Sequence, residues 1–318
     1  MLKGIWPRMA ACAGILWSGQ AIAAAWPAGL PVYDHVVIVI EENKDYEQII
    51  PSKDAAFINQ MAADGALFTK MFSEEHSSEG NYFWLFSGSN QAVGFDDDIP
   101  KKKFTTSNLG QQLIAGGRSF KGYAEDLPAI GAEDRLARGY ARKHVPWISF
   151  ANVPNGKTVE SSSNLRFSDF PKDFSTLPTV SFVVPNLFND MHSGKWDALV
   201  KTGDQWLSDH LGDYRRWAKD HNSLLIVTFD ENDNDSDFSG LTDPRSTDSG
   251  IKNRIATVFS GARVKAGQYP EGNGITHVSI LRTIEAIYAL PRSGAQQAHA
   301  VSAGISDDFI ITDIFTPR

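Results

Sequence analysis

The chain has 318 residues, 42% hydrophobic and 21% charged, enough apolar material for a large core, which excludes a wholly disordered polymer. Its 30 lysines and arginines stand against 38 aspartates and glutamates, a net charge of −8. That balance excludes a broad cationic face for nucleic acid and leaves any anionic substrate to be captured locally.

Residues 1–25 read as a targeting segment, with Lys3 and Arg8 as a basic start, an apolar stretch from Met9 to Trp17, and Ala21-Ile22-Ala23 or Ala23-Ala24-Ala25 as a small-residue cleavage site. The expected location is therefore periplasmic or secreted. Removal leaves 28 basic against 38 acidic residues and takes away Cys12, the one cysteine. Disulfides, thiolate nucleophiles and cysteine-ligated zinc then drop out. Past the leader no stretch approaches the ~20 apolar residues of a membrane-spanning helix.

In chain order, a β-branched run at 35–40 (HVVIVI) predicts a strand and 55–66 a helix. Residues 89–174 show weak periodicity and many Gly, Ser and Asn, the pattern of an insertion that shapes a substrate pocket. Further strands are predicted at 179–184 (TVSFVV), 224–229 (LLIVTF) and 255–259 (IATVF), with helices at 204–218 and 278–290, the last stopped by Pro291. Continuous apolar runs suit strands covered on both faces. The expected fold is α/β, a mostly parallel central sheet with helices on both faces, in one domain over residues 26–318.

Polar clusters follow the strands. The first strand ends in Glu41-Glu42-Asn43, the second in Pro185-Asn186 with Asp190 and His192 beyond, the third in Asp230-Glu231. Ligands of open α/β sheets bind at that edge, so these groups are expected to converge. Glu42, Asn43, Asp230 and Glu231 offer oxygen donors, which favour magnesium, calcium or manganese over zinc. The run Asp233, Asp235, Asp237 is not an EF-hand, because Phe238 stands where the turn needs glycine, and reads as a solvated acidic loop. The lysines at 101–103 likewise read as a solvated face.

The stretch HSSEGNYFWLFSG begins at His76, to which no role is assigned, and places Ser78 where a loop meets a helix. A hydroxyl there either caps the helix or stands in its positive end field, a place suited to an attacking alkoxide or a bound phosphate.

These blocks resemble a bacterial phosphoesterase family that contains secreted acid phosphatases and phospholipases C and is related to the alkaline phosphatase superfamily. The resemblance spans residues 33–291 and rests on HVVIVIEENKDYEQI, HSSEGNYFWLFSG, YAEDLP, YARKHVPW, LPTVSFVVPNLFNDMHSG, LLIVTFDEND and THVSILRTIEAIYALP, in order. It implies an alkaline-phosphatase-like core and a metal-dependent hydrolase of phosphate monoesters working through a phosphoserine. It makes Ser78 the nucleophile and Asn81 a phosphate donor. The metal set becomes Glu42, Asn43, Ser78, Asp230 and Glu231. His192 and His277 line the phosphate site as candidate proton donors, and Lys143-His144 as substrate contacts. Ser77, Gly80, Val145 and Ser193 depart from the family pattern, which bears on the substrate rim more than on the chemistry. The implied substrate is a small phosphorylated molecule, phosphoinositides included. The competing readings are a phospholipase C-type phosphodiesterase and a binding protein without turnover.

Overall fold

The computed structural model describes residues 25–93, 102–233 and 253–316; residues 1–24 of the expected leader and most of the acidic loop (Asp235, Asp237) lie outside the described residues, as does Lys101. In chain order the strands are β1 (His35–Glu41), β2 (Ala66–Phe72), β3 (Phe120–Ala124), the short pair β4 (Leu136–Ala137) and β5 (Tyr140–Ala141), β6 (Asn164–Arg166), β7 (Val180–Val184), β8 (Ser223–Phe229), β9 (Arg254–Gly261) and β10 (Gly267–Tyr269). The helices are α1 (Tyr46–Ile49), α2 (Ala56–Asp64), α3 (Ser78–Ser87), α4 (Leu109–Ala115), α5 (Leu199–Asp220), α6 (His277–Ile287) and α7 (Ala298–Ser302).

Eight strands make one sheet in the order β10-β2-β9-β8-β1-β7-β3-β6. Every neighbouring pair is parallel except the two that β9 makes, with β2 and with β8. The mixed α/β architecture agrees with the expectation, with β9 the exception to parallel order. Its apolar run is buried like those of its neighbours, and such a run reports burial on two faces, not strand direction. From Val36 to Glu41 all of β1 is buried, so both faces of the sheet centre are covered. One layer is α2 with the amphipathic α5, whose Leu207, Leu211, Tyr214 and Ala218 point inward at helical spacing. The other contains α3, α4 and α6, with Phe86 of α3 packed on Phe120 and Phe182 of the sheet.

The expected insertion at 89–174 is corrected in one respect. It supplies β3 and β6, which pair within the main sheet, so much of it is core; the β4–β5 hairpin and the turns after it are what reach the rim. Weak periodicity there reflects short strands near a sheet edge, too brief to show a pattern.

Helix α3 ends at Gly88, whose φ of 61° closes a left-handed cap with its N–H on the Trp84 carbonyl. A Cβ there would sit 2.3 Å from the Ser293 carbonyl oxygen. Gly88→Ala is expected to cost roughly 2 kcal/mol from strain and crowding together. A urea midpoint lowered at unchanged m-value checks it.

Candidate active site

Because β2 runs parallel to β8 and β1, the ends of β1, β2, β7 and β8 open on the same edge of the sheet. From that edge come Glu42 and Asn43, the loop into α3, Asp190, and Asp230 and Glu231. Asn43, two residues past β1, takes a positive φ of 43°, and Met191, next to Asp190, one of 75°, so the chain turns sharply beside both of these site residues.

Ser78 is the first residue of α3, and its side chain does not cap the helix. Its Oγ lies 3.1 Å from Glu42 Oε2 and 2.9 Å from Glu231 Oε1, so one hydroxyl proton is shared between two carboxylates. Of the two readings of Ser78, the cap is therefore excluded. The Asn43 N–H donates to Asp230 Oδ1 (3.0 Å) and its side-chain amide to Glu231 Oε1 (3.3 Å). Thus the five residues expected to surround a cation, Glu42, Asn43, Ser78, Asp230 and Glu231, are brought together.

Four residues not assigned to that set stand against it: His144, Asp190, Tyr82 and His76. His144, buried and stacked on Tyr82 at 4.8 Å, holds Nε2 3.1 Å from Glu42 Oε1, near but out of line for a hydrogen bond, and Nδ1 3.9 Å from Asp190 Oδ2. Glu42, His144 and Asp190 form a buried cluster that can hold a metal ion. Tyr82, one helical turn after Ser78, donates to Glu42 Oε1 at 2.6 Å and fixes that carboxylate. His76 Nδ1 lies 3.0 Å from Glu231 Oε2. Asp190 was visible beyond its strand as a polar residue; Tyr82 could have been found from its i+4 spacing to Ser78.

The electrostatics of the cluster fit a cation. Burial, then the charges of Asp230 and Asp190, hold the Glu42 carboxyl well above its usual range. Asp190 is raised mainly by burial, and Asp230 is pushed up to about 7 by burial and then Glu231. Asn43 Oδ1, Asp190 Oδ2 and Asp230 Oδ2 are buried without a hydrogen-bond partner among the described residues. Orphaned buried oxygens are costly, and a divalent ion satisfies them while cancelling the mutual repulsion. His144, held well below its usual pKa by burial and next by Lys143, is neutral, the form that ligates metal. Lys143 stands near enough to lower the pKa of Glu42 and Asp190.

Two expected roles are corrected. His277 is buried behind the site, its Nδ1 2.6 Å from Glu74 Oε2 and its Nε2 2.8 Å from the Phe229 carbonyl, so neither nitrogen is available to a leaving group. It braces the end of β8 just before Asp230. Burial lowers its pKa, but the Glu74 carboxylate outweighs burial and leaves it raised. Asn81 uses its amide to clasp the Glu75 backbone, accepting from its N–H (3.1 Å) and donating to its carbonyl (2.6 Å), and so shapes the loop into α3 instead of reaching toward a phosphate. His192 is the exposed histidine at the rim, its backbone N–H on Asp190 Oδ1 at 2.9 Å. A cleft of about 1030 Å³ lined by Glu125, Arg138 and Phe170 contains none of these residues and is not the site.

A family model described as "Phosphoesterase family" matches residues 50–291. This chain belongs to the Phosphoesterase family. Among curated proteins it is 45% identical over 269 residues to a phosphatidylinositol-3-phosphatase from Mycobacterium tuberculosis, covering 84% of this chain and 81% of that protein. It is 28% identical to a probable acid phosphatase from Kluyveromyces lactis, covering 83% of this chain and 60% of the yeast protein. It is 27% identical to a phosphate-repressible acid phosphatase from Penicillium chrysogenum, again spanning 60% of that protein. The fold of this phosphoesterase is shared with an alkaline phosphatase superfamily protein from Vibrio parahaemolyticus at a TM-score of 0.55 and 10% identity, covering 88% of this chain and 71% of that one.

Proposed function

We propose that this phosphoesterase is an exported, divalent-metal-dependent phosphomonoesterase that works through a phosphoserine at Ser78, with a phosphoinositide headgroup among its substrates. The observation that carries the reading is the Ser78 hydroxyl at the first turn of α3, shared between Glu42 and Glu231. The similarity to a phosphatidylinositol-3-phosphatase supports the substrate class, and the basic, apolar, small-residue order of residues 1–25 supports export.

A cation held by Glu42, Asn43, Asp230 and Glu231, with His144 and Asp190 alongside, would supply positive charge for the phosphoryl oxygens and lower the hydroxyl pKa. Oxygen donors favour magnesium, calcium or manganese, while the His144 nitrogen also suits zinc. The chain's own groups do the rest. Ser78 passes its proton to Glu231 Oε1 as Oγ forms the bond to phosphorus, and the bond from phosphorus to the leaving oxygen breaks. With Ser78 in the first turn of α3, the positive end of that helix dipole would stabilise the charge. His192, exposed at the rim, protonates the leaving alkoxide, and water then cleaves the phosphoserine, returning a proton to Oγ. Lys143 draws the anionic substrate to the edge.

The test compares phosphate release from phosphatidylinositol 3-phosphate, p-nitrophenyl phosphate and bis-p-nitrophenyl phosphate, with chelator and after addition of single metals. Monoester turnover lost on chelation and restored by one metal is expected. Turnover of the diester alone would move the reading to the phospholipase C branch, and turnover indifferent to chelation would overturn the metal dependence.

A further inference from the structure

Ser78 and the carboxylates beside it come from different segments, so the loop into α3 must be held at a fixed distance from the end of β8. Three ties run in step along the two segments. The Ser73 hydroxyl donates to the Asp230 carbonyl. Asn253 bridges Glu75 and Asn232, its side-chain amide donating to the Glu75 carbonyl at 3.0 Å and its Oδ1 accepting the Asn232 N–H, also at 3.0 Å. Between Ser73 and Glu75, Glu74 meets His277, and His277 meets the carbonyl of Phe229, the last residue of β8. The first two ties are neutral hydrogen bonds. The third reaches in from the first residue of α6 and joins two groups that ionise, both fully buried.

The charge of the ring follows from its partners. Glu74 Oε2, 2.6 Å from Nδ1, and the Phe229 carbonyl, 2.8 Å from Nε2, are both acceptors. A neutral imidazole has one N–H and serves only one of them, so the ring carries both hydrogens and is an imidazolium. A cation at the start of a helix opposes the helix dipole, and Glu74 offsets it: its other oxygen accepts the Val278 N–H at 2.9 Å. Burial works against the charge, but Glu74, the Phe229 carbonyl and the more distant Asp230 outweigh it. Apolar residues often replace a buried ion pair without loss of stability. What they cannot replace is a donor aimed at the carbonyl that precedes Asp230.

We propose that His277 and Glu74 are positioning residues: the charged pair clamps the last carbonyl of β8 to the loop that carries Ser78, and so sets the spacing between the hydroxyl and the Asp230 and Glu231 donors. The proposal rests on the reading of those donors as a metal site. Through the clamp, the 2.9 Å contact of Ser78 Oγ with Glu231 Oε1 and the 3.0 Å bond from the Asn43 N–H to Asp230 Oδ1 depend on a residue that touches neither substrate nor cation.

The test compares the full-length parent with His277→Asn and His277→Gln. Asparagine places its amide where Nδ1 stands, keeping the Glu74 contact and leaving the Phe229 carbonyl without its donor; glutamine carries its amide to where Nε2 stands and restores that donor. Calorimetry reads the uptake of magnesium, calcium and manganese by the metal-free chains, and kinetics on p-nitrophenyl phosphate at saturating metal read kcat and KM. His277→Asn is expected to bind metal roughly ten- to a hundred-fold more weakly, with kcat lowered and KM nearly unchanged, while His277→Gln stays within about three-fold of the parent. Equal metal affinity in the two variants, or a glutamine variant weaker than the asparagine one, would overturn the clamp and leave the phosphatase reading of an active parent standing. Loss of cooperative unfolding in either variant would also overturn it, because the tie would then be a folding contact. Metal affinities graded as expected, around a parent that hydrolyses no phosphate ester, would keep the clamp and overturn the phosphatase reading.

Discussion

Ser78→Ala is expected to reduce phosphate release by roughly 10⁴- to 10⁶-fold, the range seen when a covalent nucleophile is removed. The loss should fall on kcat, because in the proposed mechanism the substitution takes away the oxygen that bonds to phosphorus and leaves the charges that would hold the substrate in place. Stability should fall by about 1–3 kcal/mol, because the buried hydroxyl donates to carboxylates that lose a partner. An inactive enzyme that still unfolds cooperatively, with a melting transition lowered by only a few degrees, therefore separates chemistry from folding. Mass spectrometry of the parent quenched in acid should show a phosphate adduct on the peptide containing Ser78, absent from the variant. A variant that kept more than about a tenth of parental turnover would exclude the covalent route.

A divalent cation is expected to stabilise the protein by about 3–4 kcal/mol at 100 to 1,000 times its dissociation constant, on the order of 6 °C in melting temperature. The pH dependence follows from the carboxylates. Without a cation, burial holds Glu42 and Asp190 well above their usual range and Asp230 at about 7. An acid whose folded-state pKa is raised keeps its proton in the folded protein between the unfolded value, near 4, and the folded one. The folded state then binds more protons than the unfolded chain, so stability is greatest below pH 4 for these groups and is lost as pH rises toward about 7. A cation takes the ionised form and reverses the trend. Scanning calorimetry from pH 5 to 8, with chelator and with metal, should show the metal-dependent gain increasing with pH. A gain that shrank as pH rose would remove the carboxylate cluster as the binding site.

The strands of the sheet centre were readable because their side chains answer to one local rule: a β-branched run covered on two faces is apolar throughout. The run expected at 224–229, with Thr228 its one polar residue, lies within β8, which is buried at every position. Strands β2, β3, β6 and β10 escaped that rule. They are short, or, like β2 with half-exposed Thr69 and exposed Lys70, they carry polar side chains near the sheet margin. The direction of β9 escaped too, since burial has no polarity along the chain.

For the site, residue type and position at strand ends were enough to name Glu42, Asn43, Asp230 and Glu231, because acids and amides that leave a buried strand together have few other reasons to be there. The motif at 76–88 marked Ser78. What the sequence by itself determined was thus the α/β class, the strand-end edge and the chemical kind of the donors gathered there. The tertiary structure decided the partnerships. Ser78 stands 36 residues from Glu42 and 153 from Glu231, and only the placement of β1 beside β8, with β2 running the same way, makes them neighbours. The same packing sends His277 to Glu74 and ties Asn81 to its own loop, while bringing His144 and Tyr82 against Glu42. Local sequence sets which groups a segment can offer; which partner each one meets is settled by distance and angle, and those belong to the packed sheet.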